Sequence, residues 1–374
     1  VTVVAIVFWV AVGLIVYAQL GYPLVLRMLV VLRPRKTQRV PSESQLVSVI
    51  VAAHDEEAVI ERWVASALAL DYPRERLEII VASDGSNDRT TELARAAGAD
   101  VVLELPRAGK VAALNAAVER SSGEVLAFSD ANATWDRGSL RRLVARFGDP
   151  QVGYVCGQLR LAGDSAQSQE GLYWRYEMAV RALESRLAGV TAGNGAINAV
   201  RRDAYIALEP TRGHDISLPF ELTKRGWRAV YAPRAVATEP AAATLGSEFA
   251  RKRRMLTGAW ATILRHGMLS PRGYSPAYGF EILSHRGLRY LSPILHLIAL
   301  ATNLALLQEA TVYVVTLAAQ AALLAAAALA GVIPVWPFRV ARYYVVVIAA
   351  GAAALWDYAR HGVPTTWDQA EGTR

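Results

Sequence analysis

Three apolar runs of this 374-residue chain stop abruptly at side chains able to hold charge. "LVSVIVAA" (Leu46–Ala53) leads into His54-Asp55-Glu56-Glu57, "LEIIVAS" (Leu77–Ser83) into Asp84, and "EVLAFS" (Glu124–Ser129) into Asp130-Ala131-Asn132. A single acid in such a place serves as a turn former or helix N-cap, which is the reading for Asp88. Three at corresponding ends ask for more. Converging carboxylates repel unless a cation or hydrogen-bond donors stand between them, and a divalent metal with a phosphorylated ligand meets that need. Lys110 opens the helical pattern "KVAALNAAVERS", where an ammonium and free backbone N–H groups can meet phosphate together.

The elements that must position these residues alternate strand with helix. After the first apolar run, Glu56–Leu70 has helical spacing; Asn87–Gly98 is a second helix, Asp100–Leu105 a third strand, and the Lys110 helix precedes the fourth. This order predicts an α/β domain over 46–245, with a mostly parallel, Rossmann-like sheet and helices on both faces. Ligands of such sheets bind outside the carboxyl ends of the strands, where the acids above would lie.

Composition predicts that part of the chain lies in a membrane. With 53% hydrophobic residues and a mean hydropathy of +0.23, the chain is more apolar than an ordinary soluble protein. No charge interrupts Val1–Leu26, and base follows the run, as for a spanning helix and unlike a signal peptide. The organisation expected is a membrane helix at 1–32, a basic linker at 33–45 that holds its end in the cytoplasm, the α/β domain, amphipathic interface helices at 246–288, membrane helices at 289–357, and a polar tail at 358–374. Within 289–357, spans are expected near Tyr290–Leu307 and Ala310–Val332 with Glu309 at the turn. A shorter stretch near Arg342–Trp356 either crosses or lies at the interface, which leaves the side of the tail open. The net charge of +7 is concentrated in "RPRKTQR" (Arg33–Arg39) and "RKRR" (Arg251–Arg254), pointing to lipid headgroups or an anionic substrate and away from nucleic acid. The single Cys156 excludes an internal disulfide framework and is expected in the core.

Seven segments, "VAAHDEEAVI", "VASDGSNDRT", "AGKVAALNAA", "FSDANATWD", "GNGAINAVRR", "GHDISLPFELTKRGWRAVY" and "RKRRMLTG", together resemble, in content and order, the membrane-bound family 2 glycosyltransferases with a GT-A catalytic fold, the relatives of cellulose, hyaluronan and poly-N-acetylglucosamine synthases. The resemblance implies an inverting transfer of sugar from a nucleotide sugar, UDP-linked by expectation, to a polysaccharide or lipid-linked acceptor at the cytoplasmic face of the plasma membrane. It implies Asp130 and Asn132 as ligands of a divalent metal, Mg2+ or Mn2+. It places His54, Glu56, Asp84, Lys110 and Asp130 around the nucleotide sugar, and Asp215 as catalytic base. Gly193, Asn194, Arg251 and Arg254 would face acceptor or diphosphate. Four positions depart from the family pattern: Asn132 replaces an acid, His214 precedes Asp215 in place of an acid, Arg251 replaces a glutamine, and Met255 replaces a tryptophan that stacks on sugar. The departures at Asn132, His214 and Met255 keep open a non-catalytic nucleotide-sugar-binding subunit that scaffolds a synthase with partner subunits; a third reading keeps the enzyme and makes it a polyprenyl-phosphate glycosyltransferase. Membrane lipids are expected partners throughout; nucleic acid is not.

Overall fold

The computed structural model describes residues 1–32, 45–162, 169–240, 245–333 and 335–363. Most of the basic linker and the tail from 364 onward lie outside the described residues. In chain order the helices are α1 (Thr2–Leu32), α2 (Ile60–Leu68), α3 (Thr90–Ala96), α4 (Lys110–Arg120), α5 (Ser139–Val144), α6 (Gln169–Leu187), α7 (His214–Lys224), α8 (Leu245–Leu264), α9 (Pro276–Ala305), α10 (Thr311–Leu329) and α11 (Trp336–His361). The strands are β1 (Val47–Ala53), β2 (Leu77–Asp84), β3 (Val101–Leu105), β4 (Val125–Ser129), β5 (Thr134–Trp135), β6 (Val152–Leu161), β7 (Asn198–Arg201) and β8 (Arg228–Glu239).

The eight strands among the described residues form one sheet, ordered β3-β2-β1-β4-β7-β6-β8-β5. The β3-β2-β1-β4 half is parallel; β7 runs antiparallel to β4 and β6, β8 returns parallel to β6, and β5 closes the edge antiparallel to β8. The β1 sequence is apolar at nearly every position because both faces are covered. Val47, Val49 and Val51 point to the side of Ile60, Trp63 and Val64 of α2. Ile50 and Ala52 point the other way, into Val111, Leu114 and Ala117 of α4. The period of two in the strand thus meets helices of period 3.6 on each face.

Helices α2 and α3 start later than their sequence patterns suggest. The Asn87 N–H donates to Asp55 Oδ1 at 2.7 Å, and Asp88 accepts from the backbone N–H groups of Glu57 and Thr90 at 3.0 Å each. The chain between strand and helix is spent joining two neighbouring loops, and Asp55 takes a positive φ of 52° to do so. Cys156 is fully buried, and Trp174 packs against both halves of the core.

Among the described residues four helices are long and apolar enough to cross a membrane: α1, α9, α10 and α11. The boundary expected at 288/289 falls inside α9, one helix from Pro276 to Ala305 with a π-helical turn at Ile282–Gly287. That turn is where the apolar helices grip the α/β domain. Glu184 of α6 accepts from Tyr22 of α1 (2.8 Å), pairs with His285 of α9 (2.6 Å) and accepts from Thr191 (3.2 Å). Arg286 donates to the same Thr191 at 2.9 Å, and Arg289 pairs with Glu177. Glu177 and Glu184 are buried, which by itself raises a carboxyl's pKa; the cations from α9 outweigh that and hold both below the usual carboxylate range. Removing one partner of such a network leaves its companions charged and unpaired. Glu184→Ala should therefore cost about 3–5 kcal/mol and Tyr22→Phe about 1 kcal/mol, read as a large and a small fall in thermal midpoint of the detergent-solubilised chain.

Candidate active site

The parallel half of the sheet brings the ends of β1, β2 and β4 to one edge. Pairing of Ala53 with Ser83 sets His54 beside Asp84, and His54 Nδ1 lies 2.8 Å from the Asp84 carbonyl oxygen. The Asp84 carboxylate is 1% exposed and accepts from the backbone N–H groups of Ala108 (2.7 Å) and Gly109 (3.0 Å). It thereby fixes the N-terminus of α4, whose first residue is Lys110, and the Lys110 ammonium spans the edge to pair with Asp130. Burial works against the charged lysine, yet the Asp130 carboxylate prevails and raises its pKa. Glu56 is buried in the turn after β1, its N–H donating to Thr90 Oγ1 at 2.8 Å.

The second half of the edge is built around Gly193–Gly195. Gly193 donates its N–H to the Asp215 carbonyl oxygen at 2.8 Å and accepts from Arg181 Nη2 at 3.0 Å. A Cβ at Gly193 would stand 1.8 Å from Tyr154 Oη, and one at Gly195 would stand 2.6 Å from Asp130 Oδ2. One tripeptide therefore touches both Asp215 and Asp130, residues 85 positions apart in sequence. Asn194 turns inward: its amide donates to Gly157 O and accepts from Ile197 N, both at 2.9 Å. It braces the loop, whereas the sequence placed it toward acceptor or diphosphate.

Asp215 is the second residue of α7 and half-buried. Its carboxyl is raised by burial; the Lys110 charge pulls it down and the Asp130 charge pushes it further up. His214, first in α7, packs edge-on against Phe128 with ring centroids 4.5 Å apart. Burial, with the positive field of Lys110, pushes it down to about 3, so it is neutral at physiological pH. It starts a helix and fills the core.

Sequence reasoning missed Glu239. β5 pairs Thr134 with Thr238, and this register lays the last residue of β8 alongside the Asp130–Asn132 segment. The Glu239 carboxyl is 8% exposed and in contact with Asp130, and among the described residues its Oε1 has no hydrogen-bond partner. Its pKa is pushed up by burial and by Asp130, against the pull of Arg251 and Lys110. The only signal was an acid at a strand end, "ATEP", the same cue that marked Asp84 and Asp130. Arg251 reaches this corner while paired to Glu248 at 2.7 Å. Arg254 and Met255 are exposed on α8, Met255 at 56%.

Among the described residues no three His, Cys, Asp or Glu side chains converge as a metal site. A cation here would draw on the carboxylates of Asp130 and Glu239 and the amide oxygen of Asn132. That all-oxygen set suits Mg2+ or Mn2+, and the unpartnered Glu239 oxygen fits it.

The α/β sheet with its acids at the carboxyl edge is of the GT-A-like class. Residues 48–208 match the family pattern Glycosyl transferase family 2, and the chain contains a domain of that family. It is 36% identical over 124 residues to a probable glycosyltransferase, YdaM, of Bacillus subtilis, covering 31% of this chain and 30% of that one. It is 31% identical over 214 residues to a beta-monoglucosyldiacylglycerol synthase of Nostoc, covering 52% and 45%. It thus spans less than half the length of these two relatives. An N-acetylglucosaminyltransferase of Rhizobium meliloti is 27% identical over 299 residues, covering 72% and 68%. In fold, the mannosyltransferase PcManGT of Pyrobaculum calidifontis, solved with GDP-Man and Mn2+, superposes with a TM-score of 0.74 over 95% of this chain and 99% of that one, at 23% identity.

The Gly193 contact yields a two-step test. Gly193→Ala should destabilise the chain by about 1–3 kcal/mol through overpacking. Adding Tyr154→Phe removes the oxygen that the methyl group strikes and should recover part of that loss, seen in the thermal midpoints of the single and double variants.

Proposed function

We propose that the chain is an inverting glycosyltransferase, moving a sugar from a nucleoside-diphosphate donor, UDP-linked by preference, to a hydroxyl of a glycan or lipid-linked acceptor at the cytoplasmic face of a membrane. The observation that carries this reading is the loop Gly193–Gly195, which touches Asp215 on one side and Asp130 on the other. The Asp215 carboxyl also feels the charges of Lys110 and Asp130, so a group able to take a proton shares one electrostatic neighbourhood with those that would face a diphosphate, as a direct displacement requires.

In this mechanism the acceptor oxygen attacks the anomeric carbon while Asp215 takes its proton. The bond from that carbon to the phosphate oxygen breaks, and the electron pair leaves with the nucleoside diphosphate. A single displacement inverts the anomeric centre. Lys110, at the amino end of α4, sets an ammonium and helix N–H groups where the leaving diphosphate gathers charge. Asp84 holds that helix end in place, and His54 and Glu56 line the neighbouring turn for the nucleoside. Asp130, Asn132 and Glu239 would hold the divalent cation, which as a Lewis acid neutralises the diphosphate. The nucleotide sugar and Mn2+ bound by the Pyrobaculum fold relative support this donor class. The glycolipid synthase and N-acetylglucosaminyltransferase relatives support acceptors of the lipid-linked and glycan kinds. The chain leading into Gly193–Gly195 is tied to α9, with Tyr278 Oη donating to Val190 O at 2.9 Å.

Asp215→Asn should lower sugar transfer by about 10²- to 10⁴-fold while donor binding by calorimetry persists; unchanged transfer would remove Asp215 as base. Because the Asp215 carboxyl is raised, its active carboxylate form appears only above that raised pKa. The wild-type kcat should therefore climb with pH along an acid limb displaced above the ordinary carboxylate range. Glu239→Gln should weaken Mn2+ binding by roughly tenfold or more, measured by electron paramagnetic resonance without donor or acceptor. Equal affinity would take Glu239 out of the ligand set.

A further inference from the structure

By length and composition α1, α9, α10 and α11 are all able to cross a membrane. Contacts separate α11 from the rest. Near its end, Asp357 takes both Nε and Nη2 of Arg253, a two-pronged pair. Arg253 belongs to α8, the helix that follows the last strand of the α/β domain. Trp260 of α8 donates to Gly351 O at 3.2 Å, the Lys252 ammonium lies 5.2 Å from the Tyr343 ring centre, and the Arg265 guanidinium 5.8 Å from that of Tyr358. Residues 343 to 358 of α11 therefore lie against a helix that carries Glu248, Arg251, Lys252, Arg253, Arg254 and Arg265.

So charged a helix does not enter hydrocarbon, where each such residue costs about 2.5–3.5 kcal/mol at the centre of a span. It stays on the face of the bilayer that bears the α/β domain, and Asp357 must stay with it. The other end of α11 is fixed by α10. That helix starts beyond the turn Leu306–Glu309 and, in crossing back once, delivers Ala330 to the domain's face. Both ends of α11 thus lie on one face. A 26-residue helix standing upright would set its ends about 39 Å apart across the membrane.

Between its ends α11 meets α9 at Pro293, which is 3.1 Å from where a Cβ on Gly351 would be, and at His296, whose Nε2 is 3.1 Å from Tyr344 Oη. Those positions are within roughly 15 Å of the π-helical turn along the α9 axis, the depth of one leaflet. Trp336 and Trp356, exposed by 61% and 58%, stand near the two ends, where indole rings favour the headgroup level. Arg339 and Arg342 lie in its first half. We propose that α11 is not a crossing: it lies in the near leaflet as a lipid-embedded plate beneath α8, so that α1, α9 and α10 cross and residue 361 is on the face of the catalytic domain. This placement is independent of which sugar is moved, or whether any is.

Cys156 is fully buried and is the only cysteine, so single introduced cysteines can be read by a membrane-impermeant maleimide. The full chain would be tested in right-side-out and inverted vesicles, with Glu119→Cys marking the catalytic domain and Gln308→Cys the turn between α9 and α10. Arg360→Cys should label only in the vesicles that expose Glu119→Cys, with Gln308→Cys labelling in the opposite set. Arg360→Cys labelling together with Gln308→Cys would overturn the proposal. The double variant Arg253→Cys/Asp357→Cys tests it separately. A short bis-maleimide should link the two cysteines within one chain, and two singly modified cysteines with no link would equally overturn it.

Discussion

The arrangement rests on one ammonium among carboxylates. Asp130, Asp215 and Glu239 are drawn to the same edge of the sheet, where burial and the Asp130 charge raise the pKa of the Asp215 and Glu239 carboxyls. Lys110 supplies the compensation: it pairs with Asp130 and its field reaches Asp215, Glu239 and His214. Its own position depends on Asp84, which accepts the N–H groups that begin α4. Asp84 thus acts one step behind the chemistry. It places a cation whose charge pulls the Asp215 and Glu239 carboxyls down against the burial that raises them.

A second network holds the same loop from the other side. Arg181 from α6 and Tyr278 from α9 bond the carbonyls of Gly193 and Val190, while Glu184, His285 and Arg286 converge on Thr191. Burying so many charges gains little stability over a packed apolar core. What it does provide is register: ionic partners resist sliding of α9 past α6, so α9 and Gly193–Gly195 are held to the same helix. Asp215, whose carbonyl accepts from Gly193, is thereby tied to α6 and α9 as well as to the sheet.

Period and punctuation made much of this legible. The two-residue alternation of β1 with the helical spacing after it predicted the α/β sheet, and acids at the ends of apolar runs pointed to Asp84 and Asp130. Glu239 carried the same mark, yet β8 follows no repeating strand-helix unit, and its neighbour across the sheet is a two-residue strand that no period could reveal. Asn194 was read from its place in a glycine-rich loop; in the fold its amide satisfies backbone groups, because a tight buried loop leaves polar atoms that something must bond. Hydropathy found all four apolar helices and marked the α11 stretch as the weakest, yet left open whether it crosses, because its companions on α8 lie some ninety residues away.

The sequence by itself determined what was local: which runs are apolar, which segments alternate, and which residue types could hold metal, phosphate or a proton. Tertiary structure alone decided which of those residues meet. Burial, field and hydrogen bonding depend on distances through space, and the chain brings Asp130, Asp215 and Glu239 together only after the sheet has closed. The same holds for the ionisation of each, since a carboxyl's affinity for its proton is a property of its neighbours.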